Sequence, residues 1–265
     1  LLEAADRVGA GDYDQRVQPR GPREVQSLMR TFNEMSGLLE AADAARRQWV
    51  ADVTHELRTP LAVLQSGIEA QIDNIHPRDD RHLGSLLEET QLLGRLIDDL
   101  HTLALADAGK LALHRERAHP AALVAEAVEG HVALAARKNV HITVMAPESL
   151  PTIDVDSTRI RQVLANLLSN AVRHAPPGSE VVVRVDAGGG RVTFTVFDAG
   201  PGIQADQLEH LFERFSRAAD SRGSGLGLSI ARDLVQAHGG SVRAWNEAGG
   251  GAAVAFDVPV APDAP

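Results

Sequence analysis

From Trp49 onward the apolar residues Val50, Val53, Leu57, Leu61, Leu64, Ile68, Ile72 and Ile75 recur at threes and fours, the spacing of a helix that buries one stripe. A second stripe, Leu83, Leu86, Thr90, Leu93, Ile97, Leu100 and Ala104, follows a short turn at His76 to Asp79, so the pair predicts an antiparallel helical hairpin. Two helices leave apolar surface uncovered, which predicts a dimer that closes a four-helix bundle. Upstream, Leu1, Leu2, Ala5 and Val8 predict one helix, and Val25, Leu28, Phe32, Met35 and Leu39 another. The polar stretch Gly9 to Pro22 connects them.

The pattern changes after Gly109. It predicts a helix from Pro120 to about Arg137, a strand from Val140 to Ala146 and a helix from Ser157 to His174. Two strands about Gly188-Gly189-Gly190, a long loop, a helix from Leu226 to His238 and two strands about Gly249-Gly250-Gly251 complete an α+β domain. Val181, Val183 and Val185 alternate with Arg184 and Asp186, as in a half-buried strand.

Composition narrows the chemistry. A chain of 265 residues fits two domains and a fragment of a third, and its net charge of -10 disfavours nucleic acid as a partner. With no cysteine, disulfides and thiolate metal sites are excluded, which leaves His, carboxylates, amides and backbone. No apolar run approaches the roughly 18 residues of a membrane span, so the chain reads as soluble. It opens at Leu1 in helical register, as if cut from something longer.

Two constellations carry chemistry. In DVTHELRTPL, residues 52–61, His55 points away from the seam residues Val53 and Leu57, with Glu56 beside it and Thr59 one turn on. A lone exposed histidine is ordinarily a solvated surface residue. Here, however, Pro60 sits five residues on, and a proline inside a helix costs roughly 3 kcal/mol relative to alanine. It removes the bond to the Glu56 carbonyl and favours a bend. An exposed neutral imidazole can serve as a nucleophile while a neighbouring carboxylate takes its other proton.

The second constellation runs NLLSNAVRH (166–174), DAGPG (198–202), LFERF (211–215) and GSGLGL (223–228). Asn166 and Asn170 share a helix face, and their amides can serve hydrated Mg²⁺ or phosphates. Asp198, at a strand end, can accept the exocyclic amine of adenine, while Gly200 and Gly202 admit the base closely. Gly223, Gly225 and Gly227 precede a helix whose N-terminus can hold phosphate. Taken singly, each piece is an ordinary turn or surface pair, and a Rossmann arrangement is excluded because the glycines come late.

In order and spacing the set resembles a sensor histidine kinase of a two-component system, over roughly residues 46–260. DVTHELRTPL is similar to that family's phosphoacceptor box, and the later pieces to its N, G1, F and G2 boxes in a Bergerat (GHKL) ATP-binding domain. GDYDQRV and FNEM resemble the second half of a HAMP signal-transmitting module. The resemblance implies three parts: a partial HAMP module (1–45), a dimerising phosphotransfer hairpin (46–110) and an α/β sandwich that binds ATP (111–265).

It further implies catalytic roles for His55 as phosphoacceptor, Glu56 as its acid-base partner and Arg214 in charge stabilisation, with Arg217 and Arg222 as alternatives to Arg214 at the γ-phosphate. Asn170 would bind Mg²⁺, with Asn166, Arg173 and His174 near the phosphates. Asp198 would read adenine, in a pocket shaped by Gly200, Gly202, Gly223, Gly225 and Gly227. Phe212 and Phe215 would anchor the lid, and a hinge would lie at Asp107 to Lys110. Glu56 and Thr59 resemble a phosphatase motif acting on a partner's phosphoaspartate. ATP and Mg²⁺ are the implied cofactors. The partners are a second copy and, in trans, a response regulator receiver domain. The implied setting is the cytoplasmic portion of an inner-membrane protein, with sensor and membrane segments outside this chain. Two other readings remain: a non-catalytic ATP-binding module, and a Bergerat-fold ATPase that does not need the His55 box. His238 before Gly239-Gly240 reads as a helix end with a glycine cap, and Trp49 and Trp245 read as packing residues.

Overall fold

The structure, a computed structural model, describes residues 2–73, 80–216 and 224–262. The turn at His76 to Asp79 and the residues Ile75, Arg217, Arg222 and Gly223 lie outside the described residues. Two compact units divide the chain, Leu1–Leu93 and Gly94–Pro265.

In the first unit, helix α1 (Leu2–Gly9) leads into the polar connector and then into α2 (Arg23–Ile72), a single helix of 50 residues. The carboxamide of Asn33 holds the connector as a strand neighbour would: the Val17 N–H donates to Oδ1 and Nδ2 donates to the Val17 carbonyl, both at 2.8 Å. The sequence pattern suggested two helices meeting near residue 45; the structure fuses them. Residues 40–49, EAADAARRQW, are mostly strong helix formers with no glycine or proline, and Asp43 pairs with Arg47 one turn on at 2.7 Å.

The helix also passes through Pro60, which is buried, without interruption. Helix α3 (Asp80–Asp107) returns, and its Leu86 approaches α2 so closely that a Cβ on Gly67 would lie 2.7 Å from it. Within this chain the seam residues Val50, Leu61, Ile68, Ile72 and Leu83 are 46–64% exposed. No helix among the described residues is long and apolar enough to cross a membrane.

The second unit takes in the last turns of α3 from Gly94, ahead of the boundary at residue 110 that the motifs suggested. Leu96, Thr102 and Leu103 are buried there. Then follow β1 (Glu116–Ala118), α4 (Pro120–Arg137), β2 (His141–Met145), β3 (Ile153–Val155), α5 (Ser157–His174), β4 (Glu180–Gly188) and β5 (Arg191–Asp198). Helices α6 (Ala205–His210) and α7 (Gly227–Ala237) and strands β6 (Ser241–Asn246) and β7 (Ala252–Pro259) complete it.

Five strands form one sheet in the order β2-β4-β5-β7-β6, antiparallel except for β2 with β4. Register aligns Val183, Val196 and Val254 in one row and Val185, Phe194 and Phe256 in the next, with the two phenylalanine rings stacked at 4.7 Å. Helix α5 packs between α4 and α7 and against this sheet. Its stripe Ile160, Val163, Leu164, Leu167, Leu168, Ala171 and Val172 is buried, the threes-and-ones spacing of a core-facing helix. The short strands β1 and β3 pair antiparallel in a second sheet. Ala261, just beyond β7, is buried, and its N–H donates to the Thr152 carbonyl at 2.8 Å.

Candidate functional site

In the first unit, His55 and Thr59 are exposed on α2, while Val53, Glu56 and Leu57 are half-buried. The Thr59 hydroxyl donates to the His55 carbonyl at 3.3 Å, and Thr54 does the same to Val50 at 2.8 Å. Such back-bonding takes up carbonyl capacity in the turns around the histidine and eases local bending. Pro60, one turn on from Glu56, has no backbone N–H to donate. The seam-inward, histidine-outward arrangement expected from periodicity therefore holds.

In the second unit, α5 is fixed at both ends. Asp156 caps it, Oδ1 accepting the Arg159 N–H at 3.1 Å and Oδ2 the His114 N–H at 3.0 Å. The Asp156 N–H donates to Nε2 of His238 at 3.0 Å, which places the imidazole proton on Nδ1, where it donates to the Leu234 carbonyl at 2.7 Å. Burial pulls the His238 pKa below the ordinary histidine value. Two turns along α5, Nδ2 of Asn166 donates to the Gly227 carbonyl at 2.9 Å, tying α5 to the start of α7. One N–H of that carboxamide is thus committed, which leaves its second N–H for a phosphate and the Asn166 oxygen for solvent or a hydrated cation. Asn170, one turn further on and half-buried, has no side-chain hydrogen bond among the described residues, so its oxygen is the amide acceptor available to a hard cation.

Asp198 ends β5 beside this helix. Its Oδ1 accepts the Gly200 N–H at 2.9 Å, and burial raises its pKa. Gly200 is required by contact: a Cβ there would meet Asp198 Oδ1 at 2.6 Å and the His174 carbonyl at 2.9 Å. The His174 imidazole is half-buried, and burial lowers its pKa, with Arg173 acting in the same direction. Its neighbour Arg173 is exposed. Behind α6, the Phe215 N–H donates to the Gly225 carbonyl at 3.0 Å, joining the LFERF segment to the glycine turn before α7.

Arg214 does not stand open. Its guanidinium makes a two-pronged pair with Asp107, one prong at 2.7 Å and the other from Nη2 to Oδ1, and lies 3.6 Å from Asp233. The pair holds the Asp107 carboxyl below its ordinary pKa. Among the described residues, then, Asn166, Gly227, Asp198, Gly200 and His174 are brought together, whereas Arg214 is engaged with the end of α3.

Residues 155–262 match the family of Histidine kinase-, DNA gyrase B-, and HSP90-like ATPases, residues 45–109 the His Kinase A (phospho-acceptor) domain and residues 1–41 the HAMP domain. The signal transduction histidine-protein kinase BaeS of Escherichia coli K12 is 34% identical over 99% of this chain and 57% of its own length. Among solved structures, the Acinetobacter baumannii histidine kinase AdeS superimposes with a TM-score of 0.67 at 26% identity, covering 78% of this chain and 98% of that one. ShkA, solved full-length in complex with AMPPNP, gives 0.61 at 30% identity over 82% of this chain and 47% of its own. The chain belongs to the sensor histidine kinases of two-component systems. It spans about half the length of the curated relatives it matches.

Within this kinase family framework, three contributors escaped sequence reasoning. Asn246, at the end of β6, pins the glycine loop after Asp198: its Oδ1 accepts the Ile203 N–H and its Nδ2 donates to the Ile203 carbonyl, both at 2.7 Å. Gly251, read only as a turn residue, has φ +93, and a Cβ there would lie 2.0 Å from the Asp198 carbonyl oxygen. His238, read as a helix end, is a fully buried tether. The one available signal was the placement of Asn246 and Gly251 on either side of a strand turn. Nothing local in the sequence aims either at Asp198.

Proposed function

We propose that this chain is an ATP-dependent protein-histidine kinase that phosphorylates His55 and passes the phosphoryl group to an aspartate on a separate receiver domain. The observation that supports the reading is an exposed imidazole on α2 in the same chain as the amides of Asn166 and Asn170 on α5 and the Asp198 carboxylate held by the Gly200 N–H at the end of β5. In this reading the Asp198 carboxylate accepts the adenine amine while its Oδ1 stays oriented by the Gly200 N–H. In the same reading the backbone N–H groups at the start of α7 and the second carboxamide N–H of Asn166 serve the phosphates.

The amide oxygen of Asn170 suits Mg²⁺, which would neutralise charge on the phosphates when bound. One His55 ring nitrogen attacks the γ-phosphorus, the bond to the β-γ bridging oxygen breaks, and its electron pair leaves with ADP. Glu56 takes the proton from the other ring nitrogen, so the phosphohistidine stays neutral at that atom. In the reverse, phosphatase direction, the Thr59 hydroxyl can leave its weak bond to the His55 carbonyl and orient a water toward a receiver's phosphoaspartate. The exposed seam of α2 and α3 fits a homodimer.

Incubation with γ-labelled ATP and Mg²⁺ tests this: acid-labile, alkali-stable label is expected, and it should vanish in His55→Gln. Absence of label from dimeric protein that still binds ATP would sink the kinase reading in favour of a non-catalytic module.

A further inference from the structure

Phosphoryl transfer develops charge that an arginine can offset, and the reading above assigns that part to Arg214. The structure instead spends the end of this guanidinium on Asp107, the last residue of α3. A planar fork matched to both oxygens of a carboxylate presents the same face that a phosphate would need, so the two acceptors compete for one donor set. Asp233 closes the other side at 3.6 Å and is itself held by Arg232 at 2.9 Å. Together Asp107, Arg214, Arg232 and Asp233 line one cleft of about 490 Å³.

The residue after Arg214 carries an independent mark. Phe215 has φ +59, a left-handed conformation that a bulky residue keeps only where its surroundings enforce it. Its N–H bond to the Gly225 carbonyl is one such restraint, and the Arg214 pair with Asp107 is the adjacent one. Tether and backbone outlier thus fall on consecutive residues, the second of which is bonded to the glycine turn before α7.

We infer that Asp107 is a positioning residue that withholds Arg214, so that this pair must open before Arg214 can serve the phosphoryl group moving to His55. The inference rests on the assignment of Arg214 to charge stabilisation. Because Asp107 terminates α3, a small rotation or shift of that helix end changes the competition directly, with no other residue as intermediary.

A double-mutant cycle on the whole chain tests it, with autophosphorylation read at saturating ATP, binding of a fluorescent ATP analogue and thermal unfolding. Asp107→Asn is expected to speed labelling by about two- to fivefold, the range of a partly exposed ion pair, without tightening nucleotide binding. Arg214→Ala should slow it by at least about tenfold. The double variant should match Arg214→Ala, since Asp107 acts only through Arg214. Asp107→Ala serves as a second release variant.

If Arg214→Ala labels at the normal rate, the assignment of Arg214 fails and the inference with it. If Arg214→Ala is slow but neither Asp107 variant is faster, the assignment stands and the withholding role is overturned. A merely structural pair would show both single variants slower with lowered unfolding temperatures, and Asp107→Arg/Arg214→Asp restoring both readouts; that too overturns it.

Discussion

His55 and Asp198 are both polar groups assigned to chemistry, yet their surroundings have little in common. His55 stands exposed on α2, and the side chain one turn away bonds to its backbone, not to its ring. Asp198 is half-buried at a strand end, its carboxylate oriented by the Gly200 N–H and its carbonyl crowded by Gly251. Under the proposed function His55 must meet ATP and then a receiver, which needs access, and a helix surface supplies that with little supporting structure. A pocket that must hold one adenine in one pose needs preorganised backbone, which requires neighbours distant in sequence. Function therefore depends on local exposure in one unit and on long-range packing in the other.

The comparison can be broken by substitution. The largest contrast is expected for His55→Gln, which should abolish phosphohistidine, a loss of about a thousandfold or more, while moving folding stability by less than about 0.5 kcal/mol, as for a surface site. Gly251→Ala should do the reverse of a clean active-site change. Forcing a Cβ against the Asp198 carbonyl at positive φ should cost about 2–4 kcal/mol in denaturant unfolding and lose ATP binding together with it. A stable Gly251→Ala protein with normal nucleotide affinity would show that the pocket tolerates slack and would erase the distinction.

Smaller effects come from titration. Asp99 lies largely buried on α3, which raises its pKa to about 6. Between its unfolded value near 3.9 and about 6 the folded state keeps a proton the unfolded state has lost, so stability falls as pH rises through that window. Asp99→Asn should accordingly stabilise by about 1–2 kcal/mol at pH 8 and by little at pH 4. His238 works with the opposite sign. Its lowered pKa means the unfolded chain binds the proton first, so its contribution is full above about pH 7 and declines as pH drops below about 6.5. His238→Gln, which can keep an acceptor for the Asp156 N–H but cannot be protonated, should flatten that acid limb in denaturant unfolding followed across pH.

The legibility of these features follows how far each depends on neighbours in sequence. Helix α5 was readable to its ends because a strong stripe runs from Ile160 to Val172 and Asp156 is a good cap. Strand β4 was readable from its alternation. Strands β1 and β3, three residues each, are too short to show a period, and α6, ADQLEH, is too polar to show a stripe. The junction near residue 45 was read as a boundary because the motifs on either side differ, whereas the backbone has no reason to stop among residues that all favour helix. Asn246 with Ile203, Gly251 with Asp198 and Arg214 with Asp107 stayed hidden for one reason: each is a contact between residues about 40 to 110 positions apart, fixed by sheet register or by packing.

The uninterrupted course of α2 sets the compass bearing of His55. Each residue turns the helix by about 100°, so the direction in which the imidazole faces is tied to the connector contacts around Asn33 by an integer number of residues. Removing one residue from Ala41–Gln48 would swing His55 by about 100° relative to everything upstream, whereas removing seven would bring it back to within about 20°. For the proposed kinase, the spacing between the HAMP match and the phosphoacceptor box sets the direction in which His55 is presented, in steps of whole residues.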